Sequence, residues 1–219
     1  MVTSVFIEKL IQKCDLTSEK NHLRDIILPL FDQFSMISDK YLVYARFKHL
    51  LLTQTSVTYE QLSAYGASAG FEAALANAHI DHSLKKTELA AQRWPSYFDS
   101  WLSGFCVAET HLGFYFSKTH DKCYPVACFE ISQTEDNYVI CAVQRFLNVS
   151  PAFSAHRKTK QRVAISYRLK VTSVACLKRV VQFFEASTLK GTGLVGYKAH
   201  QYKAWLAKLK TVNRYKSVS

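Results

Sequence analysis

The stretch that decides the fold is Trp101-Leu-Ser-Gly-Phe-Cys-Val-Ala-Glu109-Thr110, followed directly by His111-Leu-Gly-Phe-Tyr-Phe-Ser117. Its first part is apolar and predicts a helix that ends on one acid, Glu109. Its second part alternates apolar and polar residues with a period of two, which predicts a half-buried strand. Gly104 and Ala108 lie four residues apart, so they share one helix face where their small side chains would let another helix approach closely. We therefore predict a helix that runs straight into a strand, with one carboxylate at the junction.

This pattern resembles the nine-residue signature of the LAGLIDADG homing endonucleases and their maturase relatives. Residues 102–110 keep the small residues, the apolar positions and the acid at the eighth position, Glu109. They depart from the signature at the sixth position, where Val107 replaces a residue that is often acidic. They depart from it again at the ninth position, where Thr110 replaces the usual glycine.

The residues after the signature extend this resemblance. Their patterns predict, in order, helix 98–109, strands 111–118 and 125–133, helix 136–147, strand 161–171, and helices 174–186 and 197–210. We expect residues 156–160 to form a basic loop that enters the third strand. The order αββαβαα is that of one LAGLIDADG repeat, and residues 95–210 resemble it without a gap. The predicted fold class is therefore α+β, an antiparallel sheet with helices on one face.

The residues before the signature predict a shorter, helical region. Residues 17–52 read as two amphipathic helices and resemble the helix–turn–helix that closes each LAGLIDADG repeat. The polar, alanine-rich residues that follow predict short helices within a linker. We therefore divide the chain into a helical remnant of a first repeat at 1–53, a linker at 54–95 and a complete repeat at 96–219.

The charge of the chain is concentrated near its C-terminus. The net charge is +11, yet residues 151–219 alone carry fifteen Lys and Arg against one acid, Glu185. Such a basic region on a near-neutral remainder is typical of proteins that bind polyanions. The alternative is an ordinary basic surface.

We predict that the sheet is apolar towards the helices and that Glu130 and Gln133 lie on its other face with the basic residues. The predicted nucleic-acid-binding residues are Tyr115, Ser117, Lys118, Arg157, Lys158, Lys160, Arg162, Ser166, Arg168 and Lys170.

The resemblance also implies catalytic roles for three residues. In the family, helix-end carboxylates hold divalent metals at the phosphates to be cut, and Glu109 matches that position. Gln133 matches a polar residue that orients water, and Lys198 matches a lysine that stabilises the transition state. Lys40 is the expected counterpart of Lys198 in the helical remnant. The alternative is that Glu109 is an idle acid at a helix end and Lys198 a solvated lysine.

Other chemistry has weaker support in the sequence. The six cysteines form no Cys-x-x-Cys pair, which favours a reducing compartment and no zinc site. His79 and His82 have a spacing that could suit a metal, but we interpret them as a plain surface pair. No apolar run approaches the roughly 18 residues of a membrane span, so we expect no membrane association.

Three functions remain open. The first, which we favour, is a homing-endonuclease scaffold that binds structured RNA without cleavage and needs no cofactor, the RNA being ribosomal or a group I intron in an organelle. For this reading we expect the mitochondrial matrix rather than the chloroplast. The second is a magnesium-dependent DNA endonuclease completed by a homodimer or a separate chain packed on helix 98–109. The third is a protein–protein module of a larger assembly.

Overall fold

The computed structural model describes residues 21–53, 69–119, 122–150, 154–159, 162–186 and 194–218. The chain divides into two compact units, Met1–Glu88 and Leu89–Ser219. No helix among the described residues combines the length and the apolar character that crossing a membrane requires. The division into remnant, linker and repeat at residues 53 and 95 stays a prediction.

The described part of the first unit is helical. A π-helical turn, Leu23–Ile27, continues directly into α1, Leu28–Gln33, and is followed by α2, Lys40–Thr53, and α3, Ala69–Ala90. The two helices predicted within 17–52 are therefore confirmed over the described residues. The short helices predicted for the linker are wrong where the structure describes it, because α3 is a single helix of 22 residues. No Pro or Gly follows Gly70 in α3, and its Ala, Leu, Glu and Lys residues all favour helix.

The core of the first unit joins α1 to α2 around one tyrosine. Leu23, Leu28, Tyr44 and Leu51 are buried together. The Tyr44 hydroxyl donates to the Leu28 carbonyl oxygen at 3.0 Å and contacts an Asp32 carboxylate oxygen at 2.8 Å. Tyr44 therefore satisfies its polar end while its ring fills the core.

The second unit contains the sheet and a layer of helices. Its elements are α4, Phe98–Glu109; β1, Thr110–Thr119; β2, Lys122–Thr134; α5, Asn137–Phe146; β3, Ser154–Thr159; β4, Arg162–Val171; α6, Val174–Ala186; and α7, Gly196–Thr211. The predicted fold class is confirmed, with one addition to its element order. Residues 154–159 form a strand where a basic loop was expected, so the order is αββαββαα. Because these residues pair with β4, tertiary pairing outweighs the weak strand propensity of a charged segment.

The four strands form one antiparallel sheet in the order β1-β2-β4-β3. Residues directly opposite each other share a face, so the register assigns faces to whole rows. Phe129 of β2 lies opposite Leu112 of β1 and Val171 of β4. Phe129 and Val171 are completely buried. This row belongs to the face that the helices cover, which we call the helix face.

Contacts from three elements cover the helix face. The ring of Phe184 in α6 lies 6.2 Å from that of Phe129. The ring of Tyr215, in the 3-10 helix Asn213–Tyr215 that follows α7, lies 6.3 Å from that of Phe114. The indole Nε1 of Trp205 in α7 donates to the Gly113 carbonyl oxygen at 3.2 Å. The opposite surface of the sheet, which we call the open face, is thereby left for other contacts.

Candidate nucleic-acid interface

The open face presents an aromatic ring and a lysine side by side. Lys170 lies opposite Glu130, which lies opposite His111, so these three residues form one row across β4, β2 and β1. The Lys170 ammonium sits 3.9 Å from the centroid of the Tyr115 ring, a cation–π contact. Tyr115 is 38% exposed and Lys170 is exposed. An exposed cation and a partly exposed aromatic ring thus lie at the same place.

A second basic residue on the open face is partly neutralised. Arg168 Nε lies 3.2 Å from Glu130 Oε1, and 46% of the Arg168 side chain remains exposed. Arg168 lies opposite Ser132 on one side and Ser154 on the other. Glu130 therefore orients the guanidinium while leaving part of it accessible to a ligand.

Of the predicted interface residues, the structure places Tyr115, Ser117, Ser166, Arg168 and Lys170 on the open face. Ser117 lies two residues from Tyr115 and Ser166 two residues from Arg168, so both serines belong to the open face. Ser166 is buried. Lys118 is exposed at the far end of β1. It lies an even number of residues from Leu112 and therefore belongs to the helix face. Lys118 therefore lies on the side of the sheet opposite to Tyr115 and Ser117.

Three further predicted cations lie on the strands at the other edge of the sheet. Arg157 and Lys158 belong to β3, where Arg157 lies opposite Ile165, and Arg162 begins β4 opposite Thr159. The register shifts between Arg157 and Thr159, which marks a bulge. Lys160 lies outside the described residues. The basic segment is therefore part of the sheet edge.

Gln133 does not lie where the sequence placed it. It is opposite Tyr167 and two residues from the fully buried Ile131, so it belongs to the helix face of the sheet. Its Nε2 donates to Asp136 Oδ2 at 3.3 Å. The error came from assigning Glu130 and Gln133 to one face although they lie three positions apart, since strand side chains alternate with period two.

One residue of the open face was missing from the predicted set. His111 is exposed, and its ring lies over Gly113, where an added Cβ would come within 2.5 Å of His111 Nε2. Glycine at 113 therefore makes room for the imidazole. The alternation of His111 with Tyr115 was visible in the sequence and would have identified it.

The structure brings Lys198 to the helix–strand junction that carries Glu109. Glu109 is the last residue of α4, and Thr110 is the first of β1. Lys198 Nζ donates to the Thr110 carbonyl oxygen at 2.8 Å. Gly196, with φ of +59°, starts α7 in a conformation that glycine adopts without strain. Two residues that are 88 positions apart in sequence therefore meet at this junction.

Thr110 has a structural role at the position where the family usually has glycine. Its Oγ1 donates to the Cys106 carbonyl oxygen at 2.5 Å, and the side chain is buried. This bond satisfies one of the carbonyl groups left unpaired at the end of a helix. Burial raises the pKa of the Cys106 thiol, an effect that Lys198 only partly offsets, so this thiol stays protonated and unreactive.

The junction does not fit a metal ion by itself. Mg²⁺ prefers octahedral coordination by oxygen atoms. Glu109 supplies one carboxylate, and in the described part of the chain no three His, Cys, Asp or Glu side chains form a group that could hold a metal. Any bound magnesium would need further oxygen ligands from a nucleic acid or a second chain.

The histidine pair in the first unit is not a plain surface pair. His82 is 2% exposed, and its Nε2 lies 2.7 Å from an Asp39 carboxylate oxygen. Lys86 also pairs with Asp39, at 2.8 Å. Burial lowers the pKa of His82, outweighing the hydrogen bond to Asp39, which raises it. His82 therefore joins α3 to the start of α2.

Lys40, the expected counterpart of Lys198, is the first residue of α2.

No family model matches the chain. Among solved structures, it is similar to the LAGLIDADG homing endonuclease I-SmaMI bound to cleaved DNA, with 20% sequence identity over 87% of this chain and a TM-score of 0.57. It is also similar to I-SmaMI bound to an uncleaved DNA target in the presence of calcium ions, with 17% identity over 91% of this chain and a TM-score of 0.55. The chain has a LAGLIDADG-like fold.

The match to this fold is partial in length. The chain spans 63% of the length of I-SmaMI in the complex with cleaved DNA and 68% in the complex with calcium. Within the LAGLIDADG-like fold, α4 is the helix that carries the signature-like residues, and β1 continues directly from it.

The described residues leave the outer face of α4 uncovered at Gly104 and Ala108. Gly104 is exposed, and no atom lies within 4 Å of a Cβ added there. Ala108 is exposed as well, and the partly buried rings of Trp101 and Phe105 stack at 4.9 Å on the same side of the helix. The close helix approach predicted for Gly104 and Ala108 is therefore not made by the described residues of a single chain.

Proposed function

We propose that this protein binds nucleic acid through the open face of its sheet. The observation that carries the proposal is the exposed group formed by Tyr115, Lys170 and Arg168. Lysine and arginine release counterions when they neutralise phosphates, which gives affinity independent of sequence. An exposed tyrosine ring adds a surface on which an unpaired base can stack. The DNA held by the I-SmaMI structures is consistent with a nucleic-acid ligand for this fold.

We assign structured RNA as the ligand, bound without cleavage. Three features of the site support binding over catalysis. The α4 helix brings a single carboxylate, Glu109, to the junction. Lys198 is engaged by the Thr110 carbonyl, and Gln133 has the alternation of the helix face and bonds Asp136. We take these three features as support for binding without cleavage. Ribosomal RNA or a group I intron in the mitochondrial matrix is the RNA that we propose, with no cofactor needed for binding.

The test compares binding and cleavage in the same protein. We expect tighter binding to structured RNA than to a duplex DNA library of randomised sequence at equal salt. We also expect no cleavage of that library with Mg²⁺ or Mn²⁺, and RNA affinity in Glu109→Gln equal to that of the wild type. Clean double-strand breaks that disappear in Glu109→Gln would overturn the assignment.

A second function, DNA cleavage by two copies or by a partner chain, has one observation in its favour. The small exposed residues Gly104 and Ala108 leave α4 able to pack closely against a second helix, which would bring a second carboxylate towards Glu109. Two carboxylates could share divalent metal ions such as Mg²⁺ between them. Sedimentation of the protein with and without DNA decides this case, because cleavage by this route needs a complex larger than one chain.

A further inference from the structure

Most of the C-terminal charge does not lie on the sheet. Fifteen lysines and arginines follow residue 150. Eight of them belong to α6, to α7 or to the residues after α7: Lys178, Arg179, Lys198, Lys203, Lys208, Lys210, Arg214 and Lys216. No Asp or Glu occurs between residues 186 and 219. The helical layer therefore carries a positive surface of its own, which the open face does not explain.

The outward side of α7 has an ordered arrangement. Its inward side is formed by Tyr202, Trp205 and Leu209, which are buried. Successive residues of an α-helix are turned by about 100°, which places the residues between them on the opposite arc. Small side chains occupy the middle of that arc, Ala204, Ala207 and Thr211, and the larger His200 lies at its N-terminal end. Two pairs flank them: Lys203 with Lys210 on one side, and Tyr197 with Lys208 on the other.

The flanking residues are accessible and are held in part by the scaffold. Tyr197 is 77% exposed, more than any other large hydrophobic side chain in the described part of the chain. Lys203, Lys208 and Lys210 are exposed. The Lys208 ammonium lies 4.8 Å from the Phe114 ring centroid, which joins one flank to β1. The result is a shallow strip of small side chains between lysines, with an aromatic ring at its start.

We propose that this strip on α7 is a second binding surface for a nucleic-acid strand, separate from the open face. Tyr202 of α7 packs against Phe184, which lies against Phe129 on the helix face, so the outward arc of α7 and the open face lie on opposite sides of the second unit. One molecule could then hold two strands, or two segments of one folded RNA, at the same time.

The chemistry of the strip favours a nucleic acid over a membrane. Lysines seven residues apart, such as Lys203 and Lys210, stand about 10 Å apart along the helix and can follow a phosphate backbone. The small residues between them let that backbone approach the helix, and Tyr197 offers a face for an unpaired base. An interfacial membrane helix needs an apolar face to insert, whereas the apolar face of α7 is already buried in the core.

The test asks whether one protein molecule joins two strands. A single-stranded oligouridylate of about 16 nucleotides is used, a length at the upper end of single-strand site sizes. One batch carries a fluorescence donor and another an acceptor. The protein is kept at a concentration where sedimentation finds it monomeric. We expect energy transfer with the wild type and a stoichiometry of two oligonucleotides per chain.

Three variants separate the two surfaces. Lys203→Gln with Lys210→Gln should abolish the energy transfer and reduce the stoichiometry to one. It should also remove one binding step. The salt slope of that step includes about 1.4 units, because the two lysines neutralise two phosphates of a single strand. Lys178→Gln removes one exposed charge from α6 and should behave as the wild type. Arg168→Gln with Lys170→Gln should leave the α7 strip as the remaining site.

The outcomes for the two proposals differ. Unchanged energy transfer and stoichiometry in the Lys203 and Lys210 variant would overturn the α7 strip, whatever the open-face variant does. A loss in that variant of binding to phosphatidylserine vesicles, with oligonucleotide binding intact, would overturn it as well. An open-face variant that still binds two oligonucleotides would count against the open-face proposal alone.

Discussion

The two units of this chain use charged side chains in opposite ways. In the first unit, lysines pair with carboxylates of neighbouring helices: Lys48 with Asp32 at 2.6 Å and Lys86 with Asp39 at 2.8 Å. In the second unit, Lys170 contacts an aromatic ring, and the exposed lysines of α7 stand in a segment without acids. Lysine–carboxylate pairs therefore occupy several cations of the first unit, whereas in the second unit Arg168 is paired with Glu130 and the outward lysines of α7 are exposed in a segment that has no acid.

This contrast shows that net charge alone does not identify a binding surface. Pairs such as Lys48 and Asp32 are partly exposed, so each contributes little to stability, but together they neutralise the surface that carries them. Unpaired cations keep their counterions until a polyanion displaces them. The same charge reversal should therefore weaken nucleic-acid binding in the second unit and leave it unchanged in the first.

The largest expected effect comes from reversing charge on the open face. Arg168→Glu with Lys170→Glu should weaken RNA binding about 100-fold at low salt. The salt dependence should flatten by about one unit for each phosphate that the variant no longer neutralises. Because both new carboxylates lie beside Glu130, the melting temperature should fall as well, so the affinity is measured well below the melting transition. Titrations across a salt series measure the affinity and its slope.

The matched control reverses two charges in the first unit. Lys48→Glu with Lys86→Glu makes the same change in net charge but places like charges beside Asp32 and Asp39. We expect a lower melting temperature and normal RNA affinity. An unchanged salt slope in the open-face variant, or an equal loss of affinity in this control, would remove the distinction between the two units.

The next effect concerns the buried polar contact of the first unit. Tyr44→Phe removes a hydroxyl bonded to the Leu28 carbonyl oxygen and to Asp32, and should lower the free energy of unfolding by about 1–2 kcal/mol. Tyr41→Phe is the control, because its bond to Asp81 is exposed and should contribute less. Denaturant unfolding measures both variants, and equal losses would contradict the difference in burial.

The stability of the first unit should also depend on pH through His82. Its pKa in the folded protein is lowered, first by burial, so the unfolded chain binds more protons at mildly acidic pH. The contribution of neutral His82 is complete above the unfolded value of 6.5 and is lost as the pH falls through it towards the lowered folded value. Lys85, Lys86 and Asp39 are the charged groups that act on the ring.

The measurement is the melting temperature of the first unit as a function of pH. We expect it to fall as the pH is lowered through 6.5, the unfolded pKa of His82, and to fall less in His82→Gln. The affinity of the second unit for RNA serves as the reference in the same samples. Identical pH profiles for wild type and His82→Gln would show that burial of His82 does not govern the acid sensitivity.

The smallest expected effect on folding is at Gly104. The sequence predicts that Gly104→Leu disrupts assembly or folding, yet an added Cβ meets no atom within 4 Å in this chain. We now expect the monomer to keep its stability or to gain up to about 1 kcal/mol, because leucine favours helix more than glycine does. Self-association, if sedimentation detects it in the wild type, should be lost. A destabilised monomer would show that α4 packs closely within one chain.

Much of the fold could be predicted because it rests on local periodicity. The helix 98–109 was predicted with the bounds that the structure has, since its apolar face, with Leu102 and Cys106 fully buried, repeats with the period of a helix. Strands β1, β2 and β4 were predicted within a few residues for the same reason. The strand at 154–159 was missed because its charged residues have little strand preference of their own and pair only through the register with β4.

What the sequence by itself determined is the list of elements, the signature-like stretch ending at Glu109 and the excess of positive charge after residue 150. Tertiary structure alone decided how those residues combine. It brought Lys198 to the Thr110 carbonyl, paired residues 154–159 with β4 and joined Gln133 to Asp136. The physical reason is that periodicity is a local property of the chain. Which distant residues meet depends instead on the register of the strands and the packing of the helices.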